Sequence, residues 1–278
     1  GSVTDLGLLL LTGIGSAIAF GAGDFSGGLA SKRDPVVRVV ALAHLLSLAL
    51  YLALALGTGE GLPRAADLAW GALAGLAGAI GLVALYRGLA LGPMGTVAAV
   101  TAVLATAVPV TFGLLLGGRL SPTQFAGTGL ALAGVVLLSR QPTGGRGGLG
   151  HAVVAGLGFG AFFVFLGQTE PGAVFWPLVM ARLASSACML ALALRGPGLR
   201  PRRGGLIALS SVLDATGNLL FLLAAQSGHL AEASVLSNVA PAFTAVLAAT
   251  ILRERLRKSQ AWGLAATVLA IPLISGHP

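Results

Sequence analysis

Residues 119–127 read RLSPTQFAG, and residues 255–263 read RLRKSQAWG. The two segments share Arg, Leu, Gln and Gly in the same register, and Gly92 and Gly228 are separated by the same spacing along the chain. Matches of Leu or Ala are common in an apolar sequence, but an Arg-Leu-x-x-x-Gln-x-x-Gly pattern that occurs twice in register indicates an internal repeat. The chain therefore reads as two related halves.

The amino-acid composition predicts that both halves lie in a membrane. Of the 278 residues, 56% are hydrophobic and only 9% are charged, whereas a soluble domain carries about 25% charged residues. So few charges cannot cover a globule of this size, and the outer surface is expected to face lipid. The 42 glycines suit helices that pack closely within a bilayer. We therefore predict an all-α integral membrane protein whose surroundings are the lipid bilayer.

Ten apolar segments are long enough to span the hydrocarbon, which takes about 20 residues for about 30 Å. They cover residues 5–30, 35–56, 66–91, 94–117, 122–139, 149–168, 172–195, 205–227, 230–252 and 259–275. Backbone groups in lipid must be hydrogen-bonded within the segment, and these runs lack the alternation of a barrel strand. Ten transmembrane helices are the prediction.

The repeat divides these helices into two sets of five. Residues 3–140 form the first five-helix repeat, residues 141–148 the loop between the repeats, and residues 149–278 the second repeat. An odd number of spans in each repeat places the two halves in inverted orientation across the membrane. Inverted repeats are common in secondary transporters, whose substrate site lies near the midplane between the repeats.

With these motifs the sequence resembles the drug/metabolite transporter superfamily, in its ten-helix branch with two EamA-type repeats. The second half carries the fuller pattern, with Pro241 followed by LRERLRKSQAWG at residues 252–263. The first half departs from it, because Gly118 stands where the second half has Glu254 and its proline, Pro109, is shifted. The resemblance covers essentially the whole chain and implies a membrane transporter, without specifying the substrate.

Basic residues are concentrated in the short loops on one side of the predicted topology. That side carries Lys32, Arg33, Arg140, Arg146, Arg195, Arg200, Arg202, Arg203, Arg253, Arg255, Arg257 and Lys258. The other side carries Arg64 and Arg119. The positive-inside rule then predicts both termini outside the cytoplasm of a bacterial-type inner membrane. Because these charges lie in loops rather than on a folded basic surface, nucleic acid is not expected as a partner.

Polar side chains deep within the predicted spans are the candidate functional residues. A charged group at the bilayer centre costs at least about 2.5–3.5 kcal/mol, so such residues are usually functional. In span eight, Asp214 and Asn218 lie on one helical face, which predicts that they bind the substrate. The alternative is that Asp214 pairs with Arg182 of the adjacent span, which would balance its charge; the two roles are compatible.

Span one places Phe20 and Asp24 on another polar face among glycines, and we predict that both contact the substrate; simple helix packing is the alternative for the glycines. A carboxylate in a low-dielectric cavity can exchange a proton during transport, so Asp24 and Asp214 are candidates for proton coupling. His44 is a third candidate because imidazole titrates near neutral pH. Its alternative role is that of a hydrogen-bonded core residue.

Span nine contributes Asn238 as a further candidate for substrate binding. Proline commonly kinks a helix, so Pro109 in span four and Pro241 in span nine are candidates for a gating movement. Passive kinks are the alternative.

These features predict a secondary active transporter that moves a small polar metabolite, of the amino acid or organic cation type, by alternating access with proton coupling or exchange. The alternative is a channel or a non-transporting membrane scaffold. The sequence has no phosphate-binding Gly-x-x-x-x-Gly-Lys-Ser/Thr motif, no nucleophile–base pair, and four scattered His without metal-ligand spacing. We therefore expect no enzyme activity, no cofactor and no catalytic or metal site, in a monomer or weak dimer.

Overall fold

The computed structural model describes residues 3–115, 121–139, 148–170, 172–226, 240–253 and 258–275. Within these ranges the regular structure is helical, without strands. The helices are α1 (Val3–Ala30), α2 (Val36–Thr58), α3 (Ala65–Leu91), α4 (Met94–Leu115), α5 (Pro122–Ser139), α6 (Leu149–Leu166), α7 (Phe175–Arg195), α8 (Gly204–Gln226), α9 (Ala240–Ile251) and α10 (Lys258–Ser275).

The predicted all-α class is confirmed for the described residues, and each of the ten helices falls on one of the ten predicted segments. By length and apolarity, α2, α3, α6 and α7 are each sufficient to cross a membrane, and shorter apolar stretches occur in α4, α5, α8, α9 and α10. The exact ten-span topology stays a prediction.

Turn residues set several of the helix ends. Gly59, which follows α2, has φ 67° and ψ 24°, a left-handed conformation that glycine adopts without a Cβ penalty and that commonly ends helices. The Gly92-Pro93 pair ends α3 because a residue before proline is disfavoured in the helical region, and Gly92 is extended with φ −131°. The next helix, α4, begins directly after this pair at Met94.

Helix packing repeats between the two halves. Exchanging each helix of the first half, α1–α5, with its counterpart in the second half, α6–α10, converts one set of helix contacts into another. The α1–α8 contact then becomes the α6–α3 contact, α1–α9 becomes α6–α4, and α2–α8 becomes α7–α3. The α2–α7, α4–α9 and α5–α10 contacts each map onto themselves. The described helices therefore follow the twofold pseudosymmetry of an inverted repeat, and α2 and α7 lie together at the junction of the halves.

Small residues bring helices from opposite halves into close contact. A Cβ on Gly71 would lie 2.5 Å from the carbonyl oxygen of Pro177, and one on Gly75 would overlap the carbonyl group of Ala181. These contacts hold α3 against α7, in agreement with the glycine content expected of closely packed membrane helices. They also fix the backbone immediately before Arg182.

Connections between helices gather on two faces of the bundle. On one face, which we call the basic face, residues 31–35 contact residues 197–203, and Gly92 lies beside Gly148. On the opposite face, residues 60–67 contact residues 170–176. This grouping is the one expected if successive helices run in opposite directions. The basic face carries exposed Lys32, Arg33, Arg195, Arg200, Arg202 and Arg203.

Candidate functional site

Arg182 lies at the centre of a polar cluster formed by α2, α7 and α8. One terminal nitrogen, Nη2, donates to Asp214 Oδ2 at 2.8 Å, and the other, Nη1, lies 3.0 Å from His44 Nε2. The guanidinium carbon is 5.7 Å from the centroid of the Tyr51 ring, within the range of a cation–π interaction. Three predicted site residues, Arg182, Asp214 and His44, are therefore in direct contact.

Because the cluster is largely buried, an unpaired charge within it would have a high free energy. The Arg182 side chain is 12% exposed and that of Asp214 is 30% exposed, while His44 and Tyr51 are each 1% exposed. Removing one partner from a buried ion pair leaves a charge that is neither hydrated nor neutralised. Asp214 is thus the less buried member of the pair.

A polar stripe on α2 faces α7 and α8, and sequence reasoning recognised only part of it. His44, Ser47 and Tyr51 follow at i, i+3 and i+7, which places them on one helical face, and all three are buried. Ser47 Oγ lies 3.0 Å from Ser211 Oγ, and Ser211 Oγ donates to the carbonyl oxygen of Ala43 at 2.7 Å. The spacing from His44 was the signal that could have identified Ser47 and Tyr51.

Asp24 on α1 lies at the α8 side of this cluster. It is half-buried and interacts electrostatically with Asp214 and with the Tyr86 side chain of α3. Tyr86 Oη is itself 2.6 Å from Ser210 Oγ on α8. The two predicted carboxylates, Asp24 and Asp214, therefore lie close enough for their charges to interact.

The close contact of α1 with α8 explains where Phe20 and Asn218 lie. A Cβ on Gly217 would meet the Phe20 ring at 2.8 Å, so this ring packs directly on the α8 backbone. Ser16 Oγ donates to the carbonyl oxygen of Gly217 at 2.9 Å. Asn218 Nδ2 donates to the carbonyl oxygen of Asp214 at 2.9 Å, so one of its amide hydrogens is used within α8.

The remaining predicted residues lie outside this cluster. Asn238 is outside the described residues. Pro109 lies inside α4, which continues through it to Leu115, and Pro241 is buried as the second residue of α9 as described. The proposed gating role of both prolines stays a prediction.

On the basic face, Asp34 joins the α1–α2 connection to the start of α8. Its carboxylate accepts the backbone N–H of Arg202 at 2.9 Å and that of Arg203 at 2.8 Å, and it pairs with Arg38 at 3.0 Å. Burial alone would raise the pKa of Asp34, but the hydrogen bonds from Arg202, Arg38 and Arg203 outweigh it and hold the pKa below its usual value. We call this set of contacts the Asp34 latch; sequence reasoning did not identify it.

Arg38 extends the Asp34 latch toward the α7–α8 connection. Its Nε donates to the carbonyl oxygen of Gly198 at 2.9 Å, and its Nη2 donates to the carbonyl oxygen of Pro197. The predicted first half and second half are therefore joined through both a carboxylate and a guanidinium on this face.

On the opposite face, Glu60 joins the α2–α3 connection to the start of α7. Its two carboxylate oxygens accept the backbone N–H groups of Val174 and Phe175, each at 2.8 Å. Trp176 Nε1 donates to the Glu60 carbonyl oxygen at 2.8 Å. A carboxylate at a helix N-terminus satisfies free N–H groups and favours the helix dipole. We call these contacts the Glu60 latch.

The face that carries the Glu60 latch also carries a second group of ion pairs. This group occupies the position in the repeat that is equivalent to the Asp34 latch. Arg64 pairs with Asp67 at 3.2 Å and with Glu170 at 2.7 Å, and the Glu170 N–H donates to Asp67 Oδ1. Glu170 follows Asp34 by the same spacing that separates Arg119 from Arg255. Each acidic residue joins its connection to the start of a helix in the other half, α3 or α8.

In the described part of the chain, no group of three or more His, Cys, Asp or Glu is arranged to hold a metal ion. The polar cluster around Arg182 instead combines one fixed positive charge with two carboxylates, an imidazole and hydroxyl groups. Such a set can bind the charged and polar groups of a small molecule.

Fold and site together define a multi-pass helical membrane protein with an inverted repeat and a charged cluster between its halves. The EamA-like transporter family model matches residues 6–140 and again residues 146–276. The chain therefore belongs to the EamA-like transporter family, in agreement with the resemblance to the drug/metabolite transporter superfamily.

Solved structures share this fold. One crystal structure of a protein superposes with a TM-score of 0.58 at 18% identity, covering 93% of this chain and 95% of the other. At that identity the likeness concerns the fold alone. No curated protein matches the sequence.

Proposed function

We propose that this chain is a secondary active transporter that moves a small polar metabolite, an amino acid or an organic cation, by alternating access with proton coupling or exchange. The observation that carries the proposal is the half-buried Arg182–Asp214 ion pair, with Asp24 and His44 beside it, at the junction of the two halves. Charges held in an apolar interior at a repeat interface are typical of transporter substrate sites.

The two latches support alternating access. Each connects the halves at one face, and the polar cluster lies on helices between them. If one latch opens while the other stays closed, the cluster becomes accessible from one side at a time. A bacterial-type inner membrane with both termini outside the cytoplasm is the placement that the exposed arginines and lysines of the basic face favour.

A ligand screen followed by counterflow tests the proposal. Ligands that bind the folded protein raise its melting temperature, so a metabolite screen identifies candidate substrates. Proteoliposomes preloaded with an unlabelled hit should then accumulate labelled hit transiently above equilibrium. A channel or a scaffold would give no such overshoot, and its absence for every stabilising ligand would refute transport by alternating access.

The role of Asp24 in proton coupling is tested by Asp24→Asn, which removes the titratable group with little change in size. Uptake by this variant should lose the pH dependence of the unmodified protein, while counterflow, which needs no net proton movement, should persist at a raised substrate concentration because Asp24 is also expected to contact the substrate. An unshifted pH profile would exclude Asp24 as the proton carrier. Asp67→Asn, on the opposite face, is the matched control and should keep the original profile.

A further inference from the structure

Exposed basic residues of the basic face gather around the start of α2. Helix α2 packs against both α7 and α8, so the connection from α7 to α8, residues 196–203, passes the start of α2. Hydrogen bonds from Arg38 to Gly198 and from Arg202 to Asp34 hold it there. Together with the adjoining α1–α2 connection and the end of α7, it carries six exposed basic side chains, those of Lys32, Arg33, Arg195, Arg200, Arg202 and Arg203.

The backbone of the α7–α8 connection is held in place while its arginine side chains are not used. Gly198 has φ 70°, a left-handed conformation that favours glycine, and Leu199 packs against the main hydrophobic core. The Asp34 carboxylate accepts the backbone N–H groups of Arg202 and Arg203. Because the Asp34 latch uses only the backbone of these two residues, their exposed guanidinium groups are available to bind another molecule.

The positive charge of these six side chains is not neutralised within the described part of the chain. None of the six forms an ion pair there. Asp34 is the one acidic residue of the two connections, but its side chain is 0% exposed and already pairs with Arg38. Like charges held close together at a surface attract counter-ions, so this surface is suited to an anionic partner.

The repeat shows that the fold itself does not require this charge. By the repeat spacing, residues 31–38 correspond to residues 167–174, and residues 195–203 correspond to residues 59–67. The first segments of these two pairs carry seven basic residues and one acidic residue, whereas their counterparts on the opposite face carry one basic and three acidic residues. Both faces nevertheless join the halves through a carboxylate that accepts backbone N–H groups. The excess of arginine therefore has a reason other than folding.

Exposed leucines beside these arginines indicate that the anionic partner is a lipid. Leu194, which is 64% exposed, directly precedes Arg195 at the end of α7, and Leu209, which is 47% exposed, follows Arg203 by about two turns of α8. In a membrane protein such leucines contact acyl chains, so the arginines next to them lie at the level of the lipid phosphates. A guanidinium group binds phosphate oxygens through two parallel hydrogen bonds. A phospholipid therefore matches both the leucines and the arginines, whereas a free anion matches the arginines alone.

We propose that the arginines of residues 195–203, together with Lys32 and Arg33, form a binding surface for the headgroups of anionic phospholipids. Clusters of four to eight basic residues directly beside a membrane helix attract anionic lipids, and each charge near the surface corresponds to about a five-fold gain in affinity. This surface is separate from the polar cluster around Arg182. Lipid binding here does not depend on the proposed transport function.

Thermal unfolding of the purified protein in detergent tests the choice of lipid. Dioleoyl phosphatidylglycerol and dioleoyl phosphatidylcholine are titrated separately, and the rise in melting temperature gives an apparent Kd for each. Phosphatidylglycerol should bind at least about ten-fold more tightly, and this preference should shrink at high salt, which screens exposed charges. Equal binding of the two lipids would overturn the proposal. Inorganic phosphate at the same concentrations should have no effect; a rise as large as that with phosphatidylglycerol would show that the surface binds a free anion instead.

Two triple variants with the same change in net charge locate the surface. Replacing Arg200, Arg202 and Arg203 together by Gln should raise the Kd for phosphatidylglycerol at least about ten-fold and leave that for phosphatidylcholine unchanged, while replacing them by Lys should keep most of the affinity because lysine retains the charge.

The matched control replaces three other exposed basic residues by Gln: Arg87 near the end of α3, Arg253 after α9, and Lys258 at the start of α10. This control should keep the preference for phosphatidylglycerol. Each Kd is referred to the melting temperature of the same variant without lipid, so a change in basal stability does not affect the comparison. An equal loss of affinity in both glutamine triples would show that net charge, rather than this surface, attracts the lipid, and would refute the proposal.

Discussion

Arg182 contacts every charged or aromatic residue that defines the polar cluster on α2 and α8. Its ion pair with Asp214 is neither fully buried nor fully exposed, at 12% and 30% side-chain exposure. Exposed pairs contribute about 0–1 kcal/mol, and breaking a buried pair costs about 3–5 kcal/mol. We therefore place the cost of breaking this pair near 2 kcal/mol, which is large enough to affect folding as well as binding.

A double-mutant cycle measures this coupling. Arg182→Gln and Asp214→Asn should each lower the free energy of unfolding by about 2 kcal/mol, and the double variant should lose clearly less than the sum because no unpaired charge remains. Thermal unfolding in one detergent provides the measurement. Glu170→Gln, which removes one partner of a pair that is 55% exposed on both sides, should change stability much less, because water screens an exposed pair.

Strict additivity in this cycle would show that Arg182 and Asp214 do not interact. Asp214→Asn should therefore abolish uptake and also lower the stability of the fold. Because the carboxylate neutralises a nearly buried guanidinium, its loss affects stability too. Uptake by the variant is therefore interpretable only per folded molecule.

Among the helices, α3 and α7 form the contact that positions Arg182. Gly71 and Gly75 lie one turn apart on α3, and each meets backbone of α7 where a Cβ would collide. The second collision involves Ala181, directly before Arg182. Any widening of this contact moves the guanidinium away from helices α2 and α8, which hold its partners.

Gly75→Ala tests this positioning. Overpacking a tight contact usually costs about 1–3 kcal/mol, and the displaced α7 should also weaken ligand binding by more than the loss of stability alone predicts. Gly129→Ala on α5, whose added Cβ meets nothing within 4 Å, should be neutral or slightly stabilising because alanine favours helix over glycine. Equal effects of the two substitutions would contradict a special role for the α3–α7 contact.

Across the whole molecule, the two latches tie the halves together at both faces. The Asp34 latch holds the start of α8, and the Glu60 latch holds the start of α7. Most contacts between helices of opposite halves follow the repeat symmetry, whereas the charged cluster does not. By the repeat spacing, Asp24 corresponds to Gly160 and Asp214 to Gly78, so the carboxylates occupy one of two equivalent positions.

Opening one latch should expose the cluster on that face alone. In a Cys188→Ser background, which removes the single cysteine of the chain, Ser47→Cys places a thiol between His44 and Tyr51. Adding Asp34→Ala should increase the labelling of this thiol by a membrane-impermeant maleimide applied from the basic face. Adding Glu60→Ala should instead increase its labelling from the opposite face. A shift of 1 kcal/mol between conformations corresponds to about a five-fold change.

Arg33→Ala, an exposed neighbour on the basic face, is the control and should leave labelling unchanged. If both latch variants increased labelling from the same face, or neither changed it, the latches would not govern access.

The Asp34 latch should not respond to physiological changes in pH. Its carboxyl pKa is held below the ordinary value because the hydrogen bonds from Arg202, Arg38 and Arg203 outweigh the effect of burial, and an ordinary aspartate titrates near about pH 3.9. A lowered native pKa gives stabilisation that is complete above the unfolded pKa and is lost as pH falls through the native one. The ratio of labelling with and without Asp34→Ala should stay constant between about pH 5 and 8, because the pH dependence of the thiol reaction itself cancels in that ratio; a change in the ratio across this range would disprove this behaviour.

The sequence by itself determined the helices, the repeat and the candidate charges. Apolar runs of about 20 residues define membrane helices without reference to their neighbours, and the two RLxxxQxxG segments reveal the repeat directly. Asp24, His44, Arg182 and Asp214 stand out because ionisable residues are rare in such runs. The EamA-like family follows from the same local patterns.

Only the tertiary structure decided which of these residues meet. Arg182 and Asp214 lie on adjacent helices, but the contact of His44 and Tyr51 with Arg182 depends on how α2 packs against α7, which no local pattern specifies. The same holds for Asp34 and Glu60, which resemble ordinary loop carboxylates until their connections meet the helix starts of the other half. Hydrophobicity is a property of each segment, whereas pairing depends on the relative placement of segments, so the sequence alone fixed the helices and their repeat while packing fixed the site.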